Sequence, residues 1–191
     1  MRRFFAPEVT QASKRLRLPD TEHHHARNVL RLETGDEVTV FDGAGREYLC
    51  RIDAMTKSAT DLDVLREIEP AAPESPASIT LASVAIPGDA YDLIVQKSVE
   101  LGVVRFIPLV SSRCELRLKD LGKKLTRWRR IALDASKQCG RARLMDIEEP
   151  RDVLDAIAGS RGEATRIFFS ERDGRGLPQS IQNDTILAVI G

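Results

Sequence analysis

The chain has 191 residues, 42% hydrophobic and 30% charged, and its formal net charge at pH 7 is zero. This is the composition of an ordinary globular protein, and it excludes a membrane-spanning chain. The first seven residues are basic but lack the apolar stretch of a secretory signal, so we expect a cytoplasmic protein without a membrane partner. The three cysteines, Cys50, Cys114 and Cys139, are odd in number and far apart, which indicates reduced thiols rather than disulfides or a zinc site.

Residues 1–70 are typical of a small β-barrel. Alternating apolar runs predict strands at residues 37–41, 48–52 and 61–68. Asp42–Gly45 predicts the hairpin turn between the first two strands, and one helix is expected around residues 22–32. Several short strands with glycine-containing turns favour a barrel over an open sheet.

A proline-rich stretch, residues 69–76, predicts the boundary between two domains. Three prolines in eight positions extend the backbone and prevent a helix or a central strand. We therefore expect a linker at residues 71–78 and a second domain at residues 79–191.

The second domain alternates between strands and helices. Apolar strands are predicted at residues 79–85, 103–110, 165–169 and 186–190. Helices are predicted from Asp89 as N-cap to Gly102, across Leu121–Cys139, and from Pro150 to Ala158. This alternation indicates an α/β fold with a mostly parallel sheet and right-handed crossovers.

The clearest helical pattern carries both an apolar face and a strong positive charge. Its apolar residues recur every three or four positions: Leu121, Leu125, Trp128, Ala132, Ala135 and Cys139. Between Arg113 and Arg143, eleven Lys and Arg stand against three acidic residues. This charge fits either a solvated helix face or a surface that contacts nucleic-acid phosphates.

Four sequence blocks together resemble the ribosomal RNA small subunit methyltransferase E family. The first is His25–Asp36, followed by Phe41–Gly43. The second is Gln96–Val103, with Pro108 and Ser112–Cys114. The third contains Trp128 and Ala135–Arg141, and the closing Ile190–Gly191 is similar to the start of the family's Gly-Pro-Glu-Gly-Gly loop. The order and spacing of these blocks carry the resemblance.

The resemblance implies a PUA-like RNA-binding β-barrel followed by a SPOUT-class α/β domain with a C-terminal trefoil knot. Members of the family use S-adenosylmethionine to methylate N3 of a uridine in small-subunit (16S) ribosomal RNA, and they act as homodimers. The expected partner is that RNA or the assembled small subunit. Two departures are expected to matter. Residues 86–90 lack the family's Lys or Arg, and the chain stops before the rest of the knot.

Two function classes follow from these departures. The first is a methyltransferase truncated before its knot, so that the 191-residue chain is itself inactive. The alternative is a non-catalytic ribosomal RNA-binding module that has lost cofactor binding. A generic nucleotide-binding α/β protein is disfavoured, because no Gly-x-Gly-x-x-Gly or Walker motif follows a strand.

Candidate site residues fall into three sets. The catalytic candidates are Arg113 and Arg141, because a fixed positive charge stabilises the anion that develops on uracil; a structural ion pair is the alternative for each. The resemblance places the cofactor at the ends of the last strands, on Phe169, Ser170, Glu171, Ile190 and Gly191. A polar surface loop is the alternative for the segment that begins at Ser170.

The RNA-contact candidates combine positive charge with one aromatic ring. They are Arg2, Arg3, Phe4, Arg27 and Arg31 in the barrel, and Lys123, Lys124 and Arg127 in the basic helix. For Phe4 a core position is the alternative. No metal ion is expected, because successive side chains of His23–His25 on a helix point about 100° apart and cannot converge.

Overall fold

The computed structural model describes residues 2–112, 117–159, 165–169, 176 and 184–191. The chain divides into two compact units. Unit 1 comprises Met1–Pro73 and Lys137–Leu144, and unit 2 comprises Glu74–Ser136 and Met145–Gly191. The division after Pro73 falls within the linker proposed from the sequence. The return of Lys137–Leu144 to unit 1 is a tertiary feature that the sequence pattern does not indicate.

Unit 1 is built on a five-stranded sheet. Its strands are β1 (Arg3–Phe5), β2 (Arg15–Arg17), β3 (Glu37–Phe41), β4 (Glu47–Met55) and β5 (Thr60–Ile68), in the order β1-β3-β4-β5-β2. β1 pairs with β3 in parallel, and the remaining pairs are antiparallel. The turn between β3 and β4 is the predicted one, because the Asp42 carboxylate accepts the backbone N–H of Ala44 at 2.7 Å.

The core of unit 1 lies on one face of this sheet. Its fully buried members include Phe4, Val38, Val40, Ile52 and Leu62. The predicted helix is short and changes its form: α1 (Asp20–His24) continues into a π-helical segment, the π turn (His25–Val29). Ala26 of the π turn is buried, which fixes this segment to the core.

Cys50 on β4 is a buried, reduced thiol. Burial raises the pKa of this thiol to about 12, and its Sγ donates to the carbonyl of Tyr48 at 3.9 Å. The thiol is therefore protonated at neutral pH and cannot act as a nucleophile. This agrees with the reduced thiol expected at Cys50, whereas Cys114 lies outside the described residues.

Unit 2 contains a parallel sheet of six strands. They are β6 (Ser78–Val84), β7 (Arg105–Val110), β8 (Asp146–Ile147), β9 (Arg151–Asp152), β10 (Thr165–Phe169) and β11 (Thr185–Ile190). The order is β10-β11-β6-β7-β8, with β9 also on β7, and every pair is parallel. The predicted parallel α/β sheet is confirmed.

Helices accompany this sheet as α2 (Ala90–Glu100), α3 (Leu118–Gly122), α4 (Leu125–Cys139) and α5 (Val153–Gly159). The predicted apolar face of α4 is confirmed at Leu125, Trp128, Ala132 and Ala135, although Cys139 is only partly buried. Leu121 belongs to the separate helix α3. None of the described helices is long and apolar enough to cross a membrane.

Two local predictions need correction. Asp89 occupies the N-cap position of α2, but its backbone is already helical and its side chain makes no capping hydrogen bond. The predicted end of this helix at Gly102 agrees with the structure, since Leu101 beyond α2 is 77% exposed and Gly102 reverses the chain with a φ of 87°. Pro150 does not open a helix directly, because β9 intervenes before α5.

Candidate cofactor edge and nucleic-acid interface

The carboxyl ends of the central parallel strands lie side by side in unit 2. Phe169 at the end of β10 pairs in register with Ile190 on β11, and Ile190 pairs with Ser83 on β6. Ligands of open parallel α/β sheets bind outside this edge. The structure thus brings together Phe169, Ile190 and Gly191 from the predicted cofactor set. Ser170 and Glu171 lie outside the described residues.

The edge formed by these residues is apolar and closely packed at Gly191. A Cβ atom at Gly191 would lie 2.7 Å from Cγ2 of Val84, so a side chain would not fit there without displacing Val84. Phe169 is 47% exposed and Ile190 43% exposed, although both residues are large and apolar. Exposed apolar side chains at a strand end offer a surface against which a flat ligand can pack.

The start of α2, next to this edge, is fixed by buried polar contacts. The Tyr91 hydroxyl donates to the Ser83 carbonyl at 2.8 Å. The Asp92 carboxylate accepts from Nε1 of Trp128 at 3.0 Å and from Nε of Arg127 at 2.8 Å. The sequence analysis did not predict this connection between α2 and α4. It could have been inferred in part from Trp128, because the indole N–H of a buried Trp needs a hydrogen-bond acceptor.

The positive charge of the basic segment in unit 2 is partly neutralised by carboxylates. Arg127, a predicted RNA contact, pairs with Asp92 and also lies 3.5 Å from Asp89. Arg129 pairs with Glu149, and Arg130 lies 4.0 Å from Asp134. Lys123 and Lys124, in contrast, have no carboxylate partner among the described residues, and the same holds for Arg117 and Lys119. The charge available for phosphates is thus smaller than the sequence count suggests.

The structure corrects two of the predicted RNA contacts in unit 1. Phe4 is completely buried in the core, so its ring cannot stack on a base. Arg3 donates to both carboxylate oxygens of Glu47, at 2.8 and 2.9 Å, and its guanidinium lies 4.2 Å from the ring centre of Phe41. Both side chains of this ion pair are more than nine-tenths buried, so the charge of Arg3 is not available to RNA.

The three other predicted contacts in unit 1 are accessible to different degrees. Arg2 is exposed and lies 4.0 Å from Asp36. Arg27 is partly buried and donates from Nη1 to the Thr56 carbonyl at 3.1 Å. Arg31 is exposed and makes no ion pair with the described residues. Arg31 is therefore the least constrained cation of the set.

The two catalytic candidates cannot be compared directly, since Arg113 lies outside the described residues. Arg141 is 3% exposed, and its backbone bridges to Ala72 within unit 1. Such burial favours the structural interpretation of Arg141. On α2, Lys97 and Glu100 form an ion pair at 2.6 Å, and hydrogen bonds from Lys97 and Gln96 lower the pKa of Glu100.

The histidine triplet at the start of unit 1 has packing and hydrogen-bonding roles. His23 is buried, and its Nδ1 lies 2.8 Å from Oγ1 of Thr60. His25 contacts the ring of Phe4 edge-on, with ring centroids 6.3 Å apart. In the part of the chain that the structure describes, no group of three or more His, Cys, Asp or Glu side chains is arranged to hold a metal ion.

Comparison with known protein families defines the class of this chain. Residues 73–191 match the model of an RNA methyltransferase domain, and residues 18–65 match the model of an RNA methyltransferase PUA domain. The mostly antiparallel sheet of unit 1 and the parallel sheet of unit 2 agree with these matches. The protein is thus of the class that joins a PUA-like barrel to a SPOUT-type α/β domain.

Similar proteins narrow this class to one family. The ribosomal RNA small subunit methyltransferase E of Aquifex aeolicus is 32% identical over 146 residues, which are 76% of this chain and 61% of that protein. The Bacillus subtilis enzyme of the same name is 32% identical over 141 residues, covering 71% of this chain and 55% of that protein. The chain belongs to the ribosomal RNA small subunit methyltransferase E family. It spans about 55–61% of the length of these two relatives.

Solved structures agree with this assignment. The ribosomal RNA small subunit methyltransferase E of Neisseria gonorrhoeae, bound to S-adenosyl methionine, superposes with a TM-score of 0.89 at 31% identity. The match covers 100% of this chain and 79% of that one. A methyltransferase from Legionella pneumophila in complex with the same cofactor matches with a TM-score of 0.84 at 26% identity, over 99% of this chain and 78% of that one.

Proposed function

We propose that this chain serves the S-adenosylmethionine-dependent methylation of uridine N3 in small-subunit ribosomal RNA. The observation that carries the proposal is the match of the whole chain to a cofactor-bound family member at a TM-score of 0.89. The strand edge of unit 2 is the proposed cofactor site, formed by Phe169, Ile190 and Gly191 with Ser170 and Glu171. The apolar, partly exposed side chains at that edge fit the purine of the cofactor.

The chemistry requires a positive environment around the target base. When bound, the cofactor supplies an electrophilic methyl group on a sulfonium. Uracil N3 carries a weakly acidic proton, so its reactivity rises when that proton is removed and the resulting negative charge is stabilised. A guanidinium keeps its charge at every physiological pH, and Arg113 remains the proposed source of that charge. The burial of Arg141 makes a positioning role the better proposal for this residue.

The proposed partners follow from family membership. We infer that the protein acts in the cytoplasm as a homodimer on small-subunit ribosomal RNA or on the assembled subunit. Arg2, Arg27 and Arg31 in unit 1 and Lys123 and Lys124 in unit 2 are the proposed phosphate contacts. Exposure and the lack of a carboxylate partner among the described residues support Arg31 and Lys123 most strongly, whereas Lys124 is half-buried.

Methyl transfer can be tested by reverse transcription, because an N3-methylated uridine cannot form a Watson–Crick pair and stops the polymerase. Small subunits that lack the modification would be incubated with cofactor and either of two proteins. One is this chain, and the other is a chimera that adds the fifth of the Neisseria chain with no counterpart here. We expect one new cofactor-dependent stop in the ribosomal RNA with the chimera.

Several outcomes of this assay would count against the proposal. A methyl group on another atom or in another RNA would exclude uridine N3 of the small subunit. Saturable RNA binding by both proteins with no methyl transfer by either would favour the non-catalytic RNA-binding module. Mass spectrometry of the digested RNA identifies the modified atom in each case.

Replacement of Lys123 and Lys124 by Gln should weaken RNA binding at every sequence. The logarithm of the binding constant should fall less steeply with the logarithm of salt concentration, with a slope about two units smaller, because each phosphate contact releases about one counterion. Fluorescence anisotropy across a salt series measures this slope. Arg130→Gln is the matched control, since Asp134 lies close to that charge. An unchanged slope would show that Lys123 and Lys124 belong to a solvated face that does not contact RNA.

A further inference from the structure

The π turn of unit 1 ends in an unusual backbone conformation. The backbone N–H of Leu30 bonds to the His25 carbonyl at 3.0 Å, and that of Leu32 bonds to the Ala26 carbonyl at 3.0 Å. These bonds span five and six residues, so the last turn is wider than in an α-helix. Arg31 follows with a φ of 53° and is the sole non-glycine residue with a positive φ in the described part of the chain.

An arginine in this position costs conformational free energy. Left-handed residues that end helices are usually Gly or Asn, because a side chain brings Cβ too close to the backbone carbonyl. Leu32 is buried, so the chain must re-enter the core immediately after residue 31. The turn itself is thus required by packing, whereas an exposed arginine at its apex is not. Strained positions of this kind are concentrated at functional sites.

A favourable interaction with the helix dipole does not explain why an arginine occupies position 31. A cation near a helix C-terminus is stabilising, but this effect acts over the whole last turn and does not need a left-handed backbone. Arg27 already provides a cation in that turn, and its hydrogen bond to the Thr56 carbonyl attaches the turn to the loop between β4 and β5. The same charge at residue 28 or 29 would avoid the strain.

Arg31 also differs from the ion-paired arginines on the surface of unit 1. Arg17 pairs with Asp61 at 2.7 Å, and Arg51 pairs with Glu37 at 3.0 Å. Arg31 has no carboxylate within ion-pair distance among the described residues, and Asn28 and Val29 beside it are exposed as well. The nearest acid in the sequence is Glu33, which is also exposed. An exposed unpaired cation beside an amide and an apolar side chain suits a nucleotide.

We propose that the π turn is an RNA-binding element in which Arg31 contacts a phosphate of the substrate RNA. Arg27, also a proposed phosphate contact, holds the turn on the barrel through the hydrogen bond from its Nη1 to the Thr56 carbonyl. The inference rests on the proposed function and deepens it, since it assigns the RNA contact of unit 1 to one turn. The strained backbone fixes the direction in which the Arg31 side chain leaves the turn. Less conformational freedom is therefore lost when the side chain binds RNA.

The test compares stability and RNA binding in the same variants. Arg31→Gly removes the strain and the charge, Arg31→Asn tolerates the left-handed backbone, and Arg31→Lys keeps the charge. Arg51→Gln is the matched surface control. The Tm of Arg31→Gly should equal that of the wild-type protein or exceed it by up to about 4 °C. Its Kd for a full-length small-subunit ribosomal RNA transcript should rise about tenfold, with a salt slope about one unit smaller.

The remaining variants distinguish an RNA contact by Arg31 from a role of Arg31 in stability. Arg31→Asn should behave like Arg31→Gly, whereas Arg31→Lys and Arg51→Gln should keep the wild-type salt slope. A lowered Tm for Arg31→Gly would show that Arg31 stabilises the fold, and wild-type RNA affinity for Arg31→Gly would exclude the contact. Either result overturns this inference while leaving methyl transfer by the chimera unaffected. Absence of methyl transfer with the expected binding pattern would overturn the proposed function alone.

Discussion

Replacement of Trp128 by Ala is expected to lower the free energy of unfolding of unit 2 by about 3–5 kcal/mol. Trp128 is 1% exposed, and its ring centre lies 4.9 Å from that of Tyr91. The substitution would leave a cavity between α2 and α4. It would also remove the donor to Asp92, which then keeps only its ion pair with Arg127.

Urea unfolding followed by far-UV circular dichroism would measure this loss without depending on Trp fluorescence. Trp128→Phe is the matched control, because it keeps most of the apolar volume and loses the N–H group. The control should lose about 1.5–3 kcal/mol, the usual cost of a broken hydrogen bond to a charged group. A loss below about 1 kcal/mol for Trp128→Ala would show that α4 does not depend on this contact.

Periodicity predicted those parts of the fold in which one face is buried over several turns. The apolar residues of α4 recur at helical spacing because that face packs inside unit 2, and the strand β3 was located at its observed limits. Strands β8 and β9 were not predicted, because two residues carry no period. The assignment of Lys137–Leu144 to unit 1 depends on tertiary contacts, which no local pattern contains.

Charge counting predicted the candidate RNA surface less well. The sequence shows the number of cations, but it does not show which carboxylates the fold brings to them. Arg127 is neutralised by residues 35 and 38 positions away, and Arg3 by one 44 positions away. The left-handed backbone of Arg31 was equally hidden, since arginine has no preference for that conformation. The residues that form the strand edge were found through the family resemblance, because backbone groups dominate such edges.

The ion pair between Glu22 and Lys137 within unit 1 should be highly sensitive to substitution. The Lys137 ammonium donates to Oε1 of Glu22, and both side chains are largely buried. Oε2 of Glu22 is also buried and has no hydrogen-bond partner among the described residues. The lysine is thus the main compensation for a carboxylate that has been removed from water.

Replacement of Lys137 by Met should therefore cost about 3–5 kcal/mol of unfolding free energy, because it leaves the buried charge of Glu22 without its partner. The double variant Glu22→Gln with Lys137→Met should recover most of that loss, since no isolated charge then remains. Urea unfolding of the two single variants and the double variant gives the coupling energy directly.

Arg17→Gln provides a matched comparison on the surface of the same unit. Arg17 and Asp61 also form an ion pair, and hydrogen bonds from Arg17 lower the pKa of Asp61, yet both side chains are well exposed to solvent. Solvent screens such a pair, so its removal should change stability little. If Lys137→Met proved no more damaging than Arg17→Gln, the carboxylate of Glu22 would have to be solvated in the native protein. The attachment of Lys137–Leu144 to unit 1 would then depend on apolar packing and on backbone contacts such as the bond from Gly45 N–H to the Ala142 carbonyl.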